Sequence, residues 1–238
     1  MLAADESHNH NDVGSFVLFA GPHPVLIDVG VGTYTAATFG AHRYDLFYMQ
    51  SAWHSGCPTI NGVQQMQGGG YEAHNTSLIS DGSSSTSSTP NEVIFSTDIA
   101  GAYPKNASVT TWKRTLSFSQ NSSRLVLEDH FRLGAFHAPQ QLHFMTVQGM
   151  KVEKTASGLL LTSTGGGDKV VLPSDHFKVA MDFDWTVFGE WREELKSLEG
   201  DHHLTQVWGD AVKRITLQTA AAFKKTEASF RIVFREVK

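Results

Sequence analysis

The sequence predicts an all-β chain folded as one large antiparallel β-sandwich, and three observations carry that prediction. Short apolar or alternating runs rich in Val, Ile, Phe, Leu and Thr recur along the 238 residues. Turn signals separate them: Ala20-Gly21-Pro22, Asn61-Gly62, Gln120-Asn121-Ser122 and Gly165-Gly166-Gly167. Helical periodicity is scarce. Many short strands with regular turn chemistry read as a sandwich or barrel.

In chain order the runs are residues 15–20, 25–29, 93–96, 111–118, 125–131, 141–147, 159–164, 177–181, 214–218 and 230–234. Side chains alternate across a strand, so each run offers one face to a core. Residues 190–198 fit either a short helix or a polar edge strand, and periodicity leaves both open. Residues 80–90 (SDGSSSTSSTP) form a polar low-complexity tract, read as a flexible surface loop because strand patterns continue on both sides. The whole chain, residues 1–238, is therefore expected to be one domain.

Composition limits the function classes. Hydrophobic residues reach 40%, enough for a sizeable core, while charged residues stop at 18%. A net charge of −5 argues against a nucleic-acid partner, which needs a clustered basic surface. No apolar run is long enough for a membrane helix. Cys57 is the single cysteine, so no internal disulfide forms. No signal peptide is visible. Asn75, Asn106 and Asn121 each open an N-x-Ser sequon, a tripeptide that is common by chance.

Three segments could carry chemistry. In Ser7-His8-Asn9-His10-Asn11-Asp12, two imidazoles one residue apart point to the same side of an extended chain. That pair suits a metal, or one ligand beside one acid/base group; a polar N-terminal loop is the plainer reading. Asp28 ends the apolar run Val25-Leu26-Ile27 and precedes Gly30, where it caps a turn or meets a cation. His54 lies in Ser51-Ala52-Trp53-His54-Ser55-Gly56-Cys57. Together His10, Asp28 and His54 offer two imidazoles and one carboxylate, a suitable zinc set with one position open.

SHNHNDVGSFVLF, PVLIDVGVGTYT and RYDLFYMQSAWHSGCPTINGVQQ, in that order, resemble the heparinase II/III-like C-terminal region. Ser96–Pro104, Trp112-Lys113-Arg114-Thr115, Leu127–Phe131, Val207-Trp208-Gly209 and Arg214-Ile215 agree in order, so the resemblance covers nearly the whole chain. It implies the C-terminal β-sandwich of a polysaccharide lyase whose N-terminal part is a helical toroid. Such lyases cleave acidic polysaccharides (heparin, heparan sulfate or alginate) by β-elimination. The resemblance implies zinc on His10, Asp28 and His54, and His8 in the catalytic cleft. It also implies a periplasmic or secreted setting.

Elimination removes the C5 proton of a uronate and expels the 4-linked oxygen. An imidazole ordinarily titrates near neutral pH, so a histidine at position 8 can serve as base or acid. Arg43, between Asp28 and His54, is a candidate neutraliser of the uronate carboxylate; a solvated surface Arg is the plainer reading. In the family the toroid supplies a catalytic tyrosine, and no helical region precedes His8. The domain is thus expected to be incomplete alone, with a separate toroid chain or a homo-oligomer as partner and apolar exposure around residues 34–48. Tyr34, Tyr44 and Tyr48 read as core aromatics. Ser55 stands where many relatives have Asn. His143 is expected to be buried and hydrogen-bonded. His23, His42, His74, His130, His137 and His176 read as structural or exposed, and His202-His203 as a loop. The competing function is a non-catalytic carbohydrate-binding or structural sandwich. A cupin-type metal site fits poorly, since no Glu follows the His pair before Phe19.

Overall fold

The computed structural model describes residues 8–80, 92–163 and 177–237. The polar tract beyond Ser80, the Gly165-Gly166-Gly167 turn and His176 lie outside them.

The described residues form two antiparallel sheets and a hairpin. The hairpin pairs β1 (Leu18–Ala20) with β2 (His23–Leu26). The large sheet uses β4 (His74–Ser80), β5 (Glu92–Asp98), β6 (Val109–Ser119), β7 (Arg124–Leu133), β9 (Met150–Thr155), β10 (Gly158–Ser163), β11 (Lys178–Asp182) and β14 (Glu227–Glu236). Its order is β4-β5-β6-β7-β14-β11-β10-β9. The small sheet uses β3 (Pro58–Thr59), β8 (Gln141–Val147), β12 (Glu190–Ser197) and β13 (Ala211–Gln218), in the order β12-β13-β8-β3. This is the expected sandwich.

Alternation sets which side chains meet between the sheets. In β7, Leu125, Leu127, Asp129, Phe131 and Leu133 are buried, while the residues between them are exposed or half-buried. Trp112 of β6 stacks on Phe131 with ring centres 5.0 Å apart, and Phe230 of β14 closes on both. Phe144 of β8 crosses from the small sheet to meet Phe234 of β14 at 5.9 Å. Phe16, ahead of the hairpin, lies 6.0 Å from Phe234 and 6.5 Å from Phe144. The N-terminal segment is thereby fixed to the seam of the two sheets.

Asp129 breaks the apolar alternation. It lies directly opposite Arg114 of β6, and both side chains are fully buried. The guanidinium bonds both carboxylate oxygens. Its remaining nitrogen, Nη1, donates 2.7 Å to the carbonyl of Gly14. The large sheet thus reaches the N-terminal segment through a charge that is paired on one side and spent on the backbone on the other.

One open reading is resolved, and several elements differ from expectation. Residues 190–198 resolve to an edge strand, β12, whose side chains are almost all exposed or half-buried. Its Glu, Arg and Lys residues blunt an open edge against pairing with another chain. The polar strands β4 and β9 and the two-residue β3 carried no clear signal. His202 and His203 open a helix, α1 (His202–Trp208), instead of a loop, because Asp201 caps it by accepting from Leu204 N–H at 3.1 Å. Short 3-10 turns over Ala36–Phe39, Arg43–Asp45, Phe47–Met49 and Ser51–Trp53 carry the chain from Thr35 to His54. No described helix is long and apolar enough to cross a membrane.

His143 is buried in β8 as expected, with Nε2 2.8 Å from Thr59 Oγ1 and Nδ1 3.1 Å from Thr216 Oγ1. Burial, and then the positive charges of Arg214 and Arg192, lower its pKa from 6.5 to about 3. The unfolded chain therefore takes up this proton first as pH falls. The contribution of neutral His143 is whole above pH 6.5 and is lost as pH drops towards 3. At its steepest the loss is ~1.4 kcal/mol per pH unit. His143→Gln is expected to flatten that part of the profile, read from urea midpoints at about pH 7 and about pH 4.5. An unchanged slope would show that His143 is not the group responsible.

Candidate functional site

The site forms where three non-ladder segments meet: residues 8–16, the chain after β2, and the run of 3-10 turns ending at His54. His54 is 1% exposed, and its two ring nitrogens have different surroundings. Nε2 lies 3.0 Å from the Tyr48 carbonyl, an acceptor, which assigns the proton to Nε2. Nδ1 is buried without a hydrogen-bond partner and faces Asp28 Oδ2 at 3.5 Å. A lone pair and a carboxylate facing each other at that distance are both acceptors. The gap between them suits a proton or a metal cation.

Asp28 serves two ends at once. Its Oδ1 accepts from Gly30 N–H at 2.7 Å, the turn cap that the sequence suggested, while Oδ2 is turned to His54. With a proton in that gap, a hydrogen bond from His54, ahead of the opposing effect of burial, draws the Asp28 carboxyl down to about 2. His10 sits across from His54, ring centres 5.3 Å apart and tilted by 45°. Burial first, then the neighbouring His54, lowers the His10 pKa to about 4, so its imidazole is neutral at pH 7 and free to donate a lone pair.

Asp12 is the residue that sequence reasoning missed. Ligand atoms of His10, Asp12 and His54 all lie within 4.8 Å of one another. Burial pushes the Asp12 carboxyl pKa up, the opposite of Asp28. The spacing that made His8 and His10 conspicuous, every second residue, continues to Asp12. The structure therefore groups His10 and His54 with Asp12, while Asp28 approaches this group through His54 Nδ1 alone. Imidazoles with carboxylates are donor types that could hold a metal such as zinc, and the unpartnered Nδ1 of His54 faces the space between them.

His8 is exposed and does not join this cluster. With His10, Val31, Tyr34, Thr38, Arg43 and Met49 it lines an open cavity of about 190 Å³. Arg43 is not the solvated surface residue of the plainer reading. It is 6% exposed, and its guanidinium donates to the carbonyls of Asn9 (2.7 Å) and Thr38 (3.3 Å). Tyr34 is also not a core aromatic: it is 56% exposed and packs edge-on against Phe39, itself 54% exposed. Tyr48 is buried and meets the expectation, whereas Tyr44 is half-buried.

Local packing explains why the chain turns as it does here. Gly56 has φ +87°, and a Cβ there would lie 2.5 Å from the Phe16 ring. Gly14 has φ +81°, with Ile99 at 2.8 Å from the same added atom. Neither turn accepts a side chain. Arg214 of β13 stacks its guanidinium 3.9 Å over Trp53 and donates to the Ala52 carbonyl, fixing the turn that presents His54. Cys57 is fully buried, and burial raises its thiol pKa well above the usual range.

A β-sandwich with an imidazole–carboxylate cluster on its connecting segments is a class of candidate metal-centre domain. The chain belongs to the Heparinase II/III-like, C-terminal family, whose model matches residues 3–217. A search of curated proteins returned no match.

Ser55 ties two parts of the cluster together. Its buried hydroxyl donates to the carbonyl of Ile27, next to Asp28, and accepts from Met145 N–H at 2.9 Å. Ser55→Ala leaves both groups unpaired and is expected to cost about 1–3 kcal/mol in denaturant unfolding. A loss below about 0.5 kcal/mol would mean that the freed groups find other partners.

Proposed function

We propose that this domain is the metal-carrying sandwich of a polysaccharide lyase that cleaves a uronate-containing acidic polysaccharide by β-elimination. The observation that supports it most is the buried, unpartnered Nδ1 of His54 facing Asp28, with His10 and Asp12 in ligand reach. In this reading His10, Asp28 and His54 hold zinc, and Asp12 stands by as a further carboxylate. Bound zinc would supply charge to an oxygen at its open position and would lock the three segments together.

The chain's own residues then divide the remaining work. His8, two residues from a ligand, opens on the cavity where a sugar ring can enter. Its imidazole takes the C5 proton or returns one to the departing 4-linked oxygen. Arg43 sets a permanent positive charge in the wall of the same cavity. That charge has the right sign to offset the uronate carboxylate, whose own charge otherwise keeps the C5 proton weakly acidic. Its hydrogen bond to the Asn9 carbonyl also holds the peptide between His8 and His10. The exposed Tyr34 and Phe39 beside His8 fit a surface that a helical toroid or a second copy covers.

Elemental analysis of the chain purified without added metal is expected to give about one zinc per molecule. His10→Ala and Asp28→Asn should each lose most of it, while His8→Ala should keep it. Metal-free parent protein with an intact fold by circular dichroism would overturn the ligand set and favour a glycan-binding or structural module. Retention of zinc by His10→Ala would remove His10 from the set.

A further inference from the structure

We infer that Gln65 is a positioning residue for the metal centre, holding the His10–Asp12 segment and the His54 turn at a fixed separation. The inference rests on the metal reading above. Residues 9–16 belong to no sheet ladder, so their backbone groups need partners from elsewhere. Gln65, 5% exposed, serves the backbone of Val13 on one side of Asp12 and the side chain of Asn11 on the other. Its Oε1 accepts from Val13 N–H at 2.9 Å, and its Nε2 donates to the Val13 carbonyl at 2.9 Å. The side-chain amide thus pairs with one residue as a neighbouring strand would. On the other side, Asn11 Nδ2 donates to the Gln65 carbonyl at 3.3 Å.

The same residue is bound to the second half of the site. Gln65 N–H donates to Ser51 Oγ at 3.1 Å, and its neighbour Gln64 accepts from Ala52 N–H at 3.0 Å. Ser51 and Ala52 belong to the turn that ends at His54. One residue therefore spans the two segments whose ligand atoms must meet within a few ångströms. No part of Gln65 belongs to the ligand cluster. Partners of this kind act by fixing ligand orientation, and their loss commonly weakens metal binding 10–100-fold.

The test uses Gln65→Met, which keeps the side-chain length and removes both bonds to Val13. Zinc affinity is read by competition with a chromophoric chelator, and geometry by the visible spectrum of the cobalt(II)-loaded chain. Leu161→Ala, a cavity in β10, serves as a destabilised control. Expected is a roughly 10–100-fold weaker zinc affinity and an altered cobalt spectrum in Gln65→Met. The control, folded under the same conditions, should match the parent in both. Gln65→Glu keeps the acceptor for Val13 N–H and loses the donor, so an intermediate loss is expected; it carries the test if Gln65→Met does not fold. Parent-like affinity and spectrum in the folded Gln65 variants would overturn the Gln65 assignment alone. A parent that binds neither metal would overturn it together with the metal reading.

Discussion

The guanidinium of Arg114 lies out of water between Asp129 and the Gly14 carbonyl, and the candidate site depends on that arrangement. A buried ion pair is a weak source of net stability, because desolvation offsets most of the attraction. Its value here is geometric. The pair spans β6 and β7, and the third bond reaches a glycine that no other residue could replace without strain. From Gly14 the chain runs back through Asp12 and His10 with Gln65, Met49 and Arg43 taking its polar groups one after another. A segment without a ladder is thus tied at several backbone groups along its length. It can present side chains to a site while its backbone stays in place.

Electrostatics follow from how deep each group lies. Burial makes His10 neutral at pH 7 and raises Asp12, whereas Asp28, beside His54, is ionised over the ordinary pH range. The cluster therefore carries a fixed carboxylate, a neutral imidazole and one that leaves its Nδ1 bare. That combination differs from a structural ion pair, in which each polar atom already has its partner, as Arg114 and Asp129 do. The same contrast separates His54 from His143, whose two nitrogens both meet threonine hydroxyls.

The central strands were legible because alternation and β-branched composition agree there, as in β7 and β8. Strands β4 (HNTSLIS) and β9 (MKVEKT) were not, because edge strands need no inward apolar face on both flanks. The helix at His202 was hidden because its signal is one capping aspartate before seven residues, too short for periodicity to register. His10, Asp28 and His54 were singled out through the quoted motifs, and the structure sets His10 and His54 close together with Asp12 as the carboxylate in ligand reach of both. Asp12 escaped because a carboxylate near two histidines in sequence looks solvated until the backbone curls it inward. Arg43 and Tyr34 exchanged their expected places, buried cation and exposed aromatic, since neither depth is set by local sequence. Arg43 is drawn in by the carbonyls of Asn9, far off in sequence, and Thr38, and Tyr34 is left out beside Phe39.

The sealed state of Cys57 has a practical side. The chain's single thiol has no access to solvent and stays protonated, so it is a poor nucleophile and a poor ligand for stray metal. Preparations need no thiol reductant to stay free of cross-linked dimers. Reductants such as dithiothreitol carry soft sulfur donors that strip zinc from proteins. Handling this chain in buffers without them keeps such sulfur donors away from its imidazole–carboxylate cluster.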